Sequence, residues 1–188
     1  MPIQVLRFTA FCSYLAAWFV FAVGAAASWV PRIQRQAAGG TMHVRPAVAI
    51  GALLQIASIL TITLHLSDGP LRPKLFELAA VALLAPFAAS LFVWALLSGL
   101  RHAGPDRLVT HGVYARIRHP IYLALLAMLL ATGLLASAGQ RLLVAVVIYL
   151  AGSELRIASE EEYLARTFRA EYEQYRLRTR WRYLPGLR

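Results

Sequence analysis

The sequence predicts an all-α integral membrane protein with about five transmembrane helices, the last two a short helical hairpin, and a C-terminal amphipathic helix. Three observations predict it. The 188 residues are 59% hydrophobic and only 15% charged, with a mean hydropathy of +0.59; soluble domains carry about 25% charged residues. The charges are segregated, with long stretches almost free of them and a C-terminal segment rich in them. The apolar runs have the length a bilayer demands, about 20 residues for a hydrocarbon core of about 30 Å.

Residues 8–30 form the first run, ahead of Pro31. Residues 47–66 form the second, between Pro46 and a Ser67-Asp68-Gly69-Pro70 turn. Residues 75–97 form the third, with Glu77 near one end and Pro86 inside, where the missing N–H is expected to kink the helix. Two shorter runs, 121–136 and 142–157, have 16 residues each, about 24 Å as helices. Ser137-Ala138-Gly139-Gln140 joins them as a tight turn. They read as a hairpin that either spans a thinned bilayer or penetrates most of it, and in both cases its two ends return to one face. A rival reading makes the first run a cleaved signal peptide, because Ala25-Ala26-Ala27 resembles a cleavage site. The run is long for that, and its basic flank is only Arg7.

The tail has a different pattern. Leu164, Phe168, Tyr172 and Tyr175 recur at helical spacing between Arg and Glu residues. Ser159, with Glu162 three residues later, forms a candidate capping box. A helix from about Glu160 to Arg178 is expected, lying on the membrane or folding back over the loops.

The net charge of +10 suggests nucleic acid at first sight. The arginines, however, flank apolar runs, where they meet lipid headgroups, so the expected partner is the bilayer and no nucleic acid is implied. With the amino terminus outside, the inner segments 31–46, 101–119 and the tail from Arg156 hold 3, 4 and 8 Arg. The outer segments hold Arg7, Arg72, Lys74 and Arg141. That asymmetry obeys the positive-inside rule. The one cysteine, Cys12, rules out a disulfide framework or a Cys-rich zinc site. His43, His102, His111 and His119 lack a metal-ligand spacing, so no metal is expected. No Gly-rich phosphate loop or G-x-G-x-x-G is present, which excludes a soluble Rossmann template. The chain does not end in a prenylation box, and the oligomeric state is open.

Two polar clusters border the hairpin: residues 110–122, containing Arg118-His119-Pro120-Ile121-Tyr122, and Arg156 with Ser159-Glu160-Glu161-Glu162. The hairpin brings them to one membrane face. His119 and Tyr122 share a helix face, as do Arg156 and Glu160 if the helix is continuous there. Pro120 suits a first helical turn. Polar groups at membrane depth are costly, which favours a functional reading. The bland readings stand beside it. Arg116 and Arg118 serve as headgroup anchors, His119 as a helix-start histidine, and Glu160–Glu162 as an acidic first turn facing the helix dipole. Tyr114 and Tyr122 are then interfacial aromatics. Gln55, Thr61 and Thr63 are expected to bond between helices or to backbone. His65 and Glu77 lie near the outer boundary, and Glu154 is a minor candidate.

Leu108-Val109-Thr110-His111-Gly112-Val113-Tyr114, then Arg118-His119-Pro120-Ile121-Tyr122, then Arg156 with Glu160-Glu161, Leu164, Phe168, Glu171-Tyr172 and Tyr175 resemble the isoprenylcysteine carboxyl methyltransferase family. The wider set includes phospholipid methyltransferases with the same carboxy-terminal pattern. The likeness covers roughly residues 104–185. It implies methyl transfer from S-adenosylmethionine to the carboxylate of an isoprenylcysteine-like lipid. It further implies that Leu108 and Val109 line the cofactor, that Tyr114, His119, Pro120, Ile121 and Tyr122 hold it, and that Glu160 binds it. Glu161 completes the acidic pair, and Arg156 faces the substrate carboxylate. The chain then reads as one membrane domain over 1–188, with three spans in 1–100 and the catalytic part in 101–188. Residues 1–100 carry no motif of the resemblance, so a phospholipid or other amphipathic acceptor is the alternative. A sterol-type reductase using a nicotinamide cofactor and a non-enzymatic membrane scaffold are the remaining readings.

Overall fold

The computed structural model describes residues 3–37, 46–64, 73–102 and 107–183. His43, His65 and the Ser67-Asp68-Gly69-Pro70 turn lie outside the described residues. Among the described residues five α-helices carry the fold: α1 (Ile3–Ala37), α2 (Pro46–Thr63), α3 (Leu75–His102), α4 (Pro120–Leu135) and α5 (Gln140–Arg178). Four are long and apolar enough to cross a membrane, and α4 is the shorter fifth. The described chain is an all-α membrane protein.

Two boundaries differ from the sequence-based expectation. α1 passes Pro31 and ends at Ala37. The second hairpin arm does not stop near residue 157, because α5 runs through Ser159 and Glu160 as one helix. Ser159 is therefore not an N-cap, and the acidic-first-turn reading of Glu160–Glu162 falls with it. Nothing in residues 155–162 can break a helix, since there is no Gly or Pro. The interruption comes later, at Arg169, with φ 43° and ψ −115°. The predicted amphipathic helix is thus the far half of α5. α3 carries Pro86 without ending there.

Packing follows membrane rules, in which close approach replaces the hydrophobic drive. α3 lies along α1 and α4, and α2 lies along α5. Ala85, Ala88 and Ala95 of α3 and Ala124 and Ala131 of α4 are fully buried. Phe21 stacks on Phe92 with centroids 4.2 Å apart. Where α2 crosses α5, a Cβ on Gly152 would stand 2.7 Å from the Gly51 carbonyl oxygen, so the two backbones touch. Large apolar side chains on every side point outward, including Phe8, Phe19, Leu83, Leu143 and Val147. Such a surface suits lipid and not water. Thr61 and Thr63 bond back to their own helix, as expected.

The hairpin turn sits at residues 136–139, with Ser137 and Gly139 at positive φ. Ser137 Oγ donates to Glu77 Oε2 at 3.3 Å, at the start of α3. At the other end, Gly112 lies against Ser98, near the end of α3. The hairpin therefore runs beside α3 from Ser98 to Glu77, about 32 Å at 1.5 Å per residue.

Candidate active site at the open end of the hairpin

Residues 107–110 are extended and lead into a 3-10 turn at Gly112–Ala115. His119 then caps α4, with Pro120 in its first turn. After α5 the chain doubles back beside this loop. Ile117 pairs with Trp181 in a parallel bridge. The N–H of Arg118 donates to Trp181 O (3.0 Å), and that of His119 to Arg182 O (2.7 Å). Tyr175 OH donates to Tyr114 O at 2.8 Å. The tail thus folds over the loop, one of the two placements the sequence left open.

This strap encloses an ionic cluster. His119 is buried, with Nε2 3.2 Å from Glu161 Oε1 and Nδ1 3.5 Å from Glu160 Oε2. Arg118 Nε donates to Glu161 Oε1 at 3.1 Å, and its NH1 donates to the carbonyls of Thr179 (2.7 Å) and Arg180 (3.3 Å). Arg118 is therefore a buried pin, not the headgroup anchor the sequence suggested, while Arg116 is exposed. Arg182 bridges Glu154 (2.7 Å) and Glu161 (3.4 Å). Glu161 thus receives two guanidinium groups and an imidazole, and both its oxygens are committed. Glu160 differs. Its side chain is 48% exposed, and it meets His119 and the Tyr122 hydroxyl, which donates at 3.4 Å. One carboxylate is structural and its neighbour keeps capacity for a ligand.

Burial alone would lower the His119 pKa, but hydrogen bonds to Glu160 and Glu161 and their charges outweigh it, so the pKa is raised. An imidazole with a carboxylate at each nitrogen is suited to the doubly protonated form, which donates to both. The Tyr114 pKa is pushed up to about 12, by burial first and then by the charge of Glu160.

Arg156 lies one turn before Glu160 on α5. Its guanidinium stands 5.4 Å over the Tyr122 ring, and NH1 donates to Gln55 Oε1 of α2. Its Nε is buried without a hydrogen-bond partner among the described residues. Arg156 and Gln55 form the polar end of a cavity of about 240 Å³, whose other walls include Trp18, Ile56, Ile59, Leu125 and Met128.

The expected site residues fall into three groups. His119, Tyr122, Glu160, Glu161 and Arg156 meet directly or through one neighbour. Tyr114 shares the field of Glu160. Pro120 is buried at the start of α4, while Leu108, Val109 and Ile121 are half-buried on the approach, with no polar role. Sequence reading missed the cluster membership of Arg182; Gln55 bonds between helices, as expected, but its partnership with Arg156 was not foreseen. Gln55 carried a signal, a carboxamide alone in the middle of an apolar run. Arg182 looked like any other arginine of the tail.

An ionic cluster at one end of a lipid-facing bundle, joined to an apolar cavity by an arginine, defines a membrane protein whose site faces both water and lipid. The sequence model of the phospholipid methyltransferase family matches residues 92–171, from α3 through the ionic cluster to the far part of α5. The match supports the wider family of membrane methyltransferases and a membrane-embedded methyltransferase working on lipid-type substrates. It does not single out the isoprenylcysteine carboxyl branch. No curated protein matches the chain.

Proposed function

We propose that this protein is an S-adenosylmethionine-dependent methyltransferase that methylates the carboxylate of an isoprenylcysteine-like lipid. The observation that carries this reading is the meeting of His119, Glu160 and Glu161 one helical turn from Arg156 at the mouth of an apolar cavity.

The residues fit the cofactor by their chemistry. A half-exposed carboxylate, Glu160, suits its ammonium or ribose hydroxyls. Tyr114 and Ile121, with Leu108 and Val109, offer flat and apolar surface for the adenosine, while the buried Pro120 and Tyr122 hold the start of α4 beneath it. His119 and Glu161 act behind Glu160 and hold it in place. When bound, S-adenosylmethionine supplies a methyl group on a sulfonium sulfur, open to in-line displacement. The chain's own contribution is alignment, which can supply several kcal/mol of a barrier. Arg156 orients the acceptor carboxylate through its unpartnered Nε–H and its charge. A carboxylate is ionised at neutral pH, so this acceptor requires no general base. The positive-inside asymmetry supports a multi-pass protein with the amino terminus outside and the ionic cluster and C-terminus on the cytoplasmic side.

The family match favours a second acceptor, a phospholipid amine. That acceptor must lose a proton, and Glu160 is the exposed carboxylate at hand. Incubating the protein and labelled S-adenosylmethionine with N-acetyl-S-farnesylcysteine or with phosphatidylethanolamine vesicles separates the two.

The founding test is S-adenosylmethionine binding by purified protein in detergent, with Glu160→Ala and His119→Ala beside wild type. Saturable binding that weakens more than about tenfold in Glu160→Ala, the loss of one charged hydrogen bond, is the expected result. A folded wild-type protein that does not bind, with or without prenylcysteine, overturns the reading in favour of a reductase or a scaffold.

A further inference from the structure

Polar side chains on α2 satisfy themselves locally, with one exception. Ser58, Thr61 and Thr63 donate to carbonyls of their own helix. Gln55, buried, reaches across to α5 instead. Its Nε2 donates to Ser153 Oγ at 3.0 Å and its Oε1 accepts from Arg156 NH1. Because the amide nitrogen is engaged by Ser153, the carbonyl oxygen is the end that meets the guanidinium. The contact is possible because Gly51 and Gly152 let the backbones touch one turn away.

The consequence is electrostatic. Gln55 fixes Arg156 with a neutral acceptor, so it leaves the charge intact. Arg156 Nε stays buried and unpartnered beside the cavity. A buried guanidinium N–H needs an anion or further acceptors; Glu160, one turn on, acts on Arg156 through its charge, and the rest of the cavity wall is apolar apart from the Trp18 indole N–H, a donor, and the Tyr149 hydroxyl, which donates to Tyr122 O. We propose that Gln55 is a specificity-determining residue for the methyl acceptor: it aims Arg156 into the cavity without neutralising it, so the polar end selects an anionic headgroup, carboxylate or phosphate. Gln55 lies outside the stretch that matches the methyltransferase family, so the selection is a property of α2. The inference rests on the methyltransferase reading above.

Binding in detergent tests it, by titration calorimetry with three probes: N-acetyl-S-farnesylcysteine, its neutral methyl ester, and dioleoyl phosphatidic acid. Wild type is expected to bind one of the anions at least about tenfold tighter than the ester, as for a charged hydrogen bond. The anion preferred identifies the source of the headgroup. Gln55→Glu pairs with Arg156 and is expected to bring anion and ester to within about twofold. Gln55→Met, of similar shape and neutral, is expected to weaken the anion about tenfold and leave the ester unchanged. S-adenosylmethionine binding should stay within twofold of wild type in both variants, which certifies the fold. No anion preference in wild type, or the same preference in a Gln55→Met protein that still binds S-adenosylmethionine, overturns the inference. Failure of wild type to bind S-adenosylmethionine defeats the methyltransferase reading instead, and the anion-to-ester ratio is read independently of it.

Discussion

At the residue scale, the cluster depends on the charge of one imidazole. His119 has a raised pKa because two carboxylates outweigh its burial. A group whose folded pKa lies above its unfolded value stabilises fully below the unfolded pKa, about 6.5 for histidine. That contribution disappears as pH rises through the folded pKa. The melting temperature of wild type in detergent should therefore fall as pH climbs from about 6 toward 9. His119→Gln, which keeps a hydrogen-bonding side chain without the charge, should melt lower at pH 6, and its gap to wild type should shrink as pH rises. A gap independent of pH would show that folding leaves the imidazole pKa unshifted, and a gap that widens as pH rises would show that the imidazole is neutral in the folded protein. The residues of this cluster were half legible in the sequence. His119, Glu160 and Arg156 stood out as polar groups beside apolar runs. Which carboxylate is structural was not legible, because it depends on Arg118 and Arg182 converging on Glu161 across a strap that no local pattern announces.

At the element scale, two features decide the site. One is the continuity of α5. The sequence suggests a cap at Ser159, but a capping pattern is only meaningful where a helix starts, and the preceding residues offer no breaker. Ser159→Ala should therefore change stability by less than about 0.5 kcal/mol, whereas loss of a true N-cap costs about 1 kcal/mol. A loss of about 1 kcal/mol or more would restore the separate-helix reading. The other feature is the α2–α5 crossing. No side chain on Gly152 can be absorbed by a flexible neighbour, since the Cβ would meet the Gly51 carbonyl at 2.7 Å and the Gln55 N–H at 3.2 Å. Gly152→Ala should push α2 away and cost about 1–3 kcal/mol, the range for overpacking. Because α2 carries Gln55 and much of the cavity wall, acceptor binding should suffer while S-adenosylmethionine binding persists. A melting temperature equal to wild type would mean that the backbones are not in contact.

At the scale of the whole molecule, the open question in the sequence was whether a hairpin with 16-residue arms crosses the bilayer. Length alone argues against it, at about 24 Å per helical arm. The packing argues for it. Ser137 at the turn bonds Glu77 at the start of α3, and the loop before α4 rests on Ser98 near its other end. The hairpin is therefore as deep as the span beside it, with the missing length supplied by the turn, by the 3-10 segment ahead of α4 and by the continuation of α5 past residue 157. Arg116 and Gln140, both exposed, should then lie on opposite sides of the membrane. In a Cys12→Ser background, a membrane-impermeant maleimide applied to sealed inverted vesicles should label Arg116→Cys but not Gln140→Cys, and in right-side-out spheroplasts the pattern should reverse. Labelling of Gln140→Cys only after detergent is added would mean that the turn is buried in lipid and the hairpin is re-entrant. Labelling of both from one side would put the turn and the ionic cluster on the same face. A spanning hairpin also bears on function, because it holds the cluster at one surface while the cavity behind Arg156 lies at lipid depth. In the proposed function, that separation would let a polar cofactor and an apolar acceptor approach one arginine and one carboxylate from different phases.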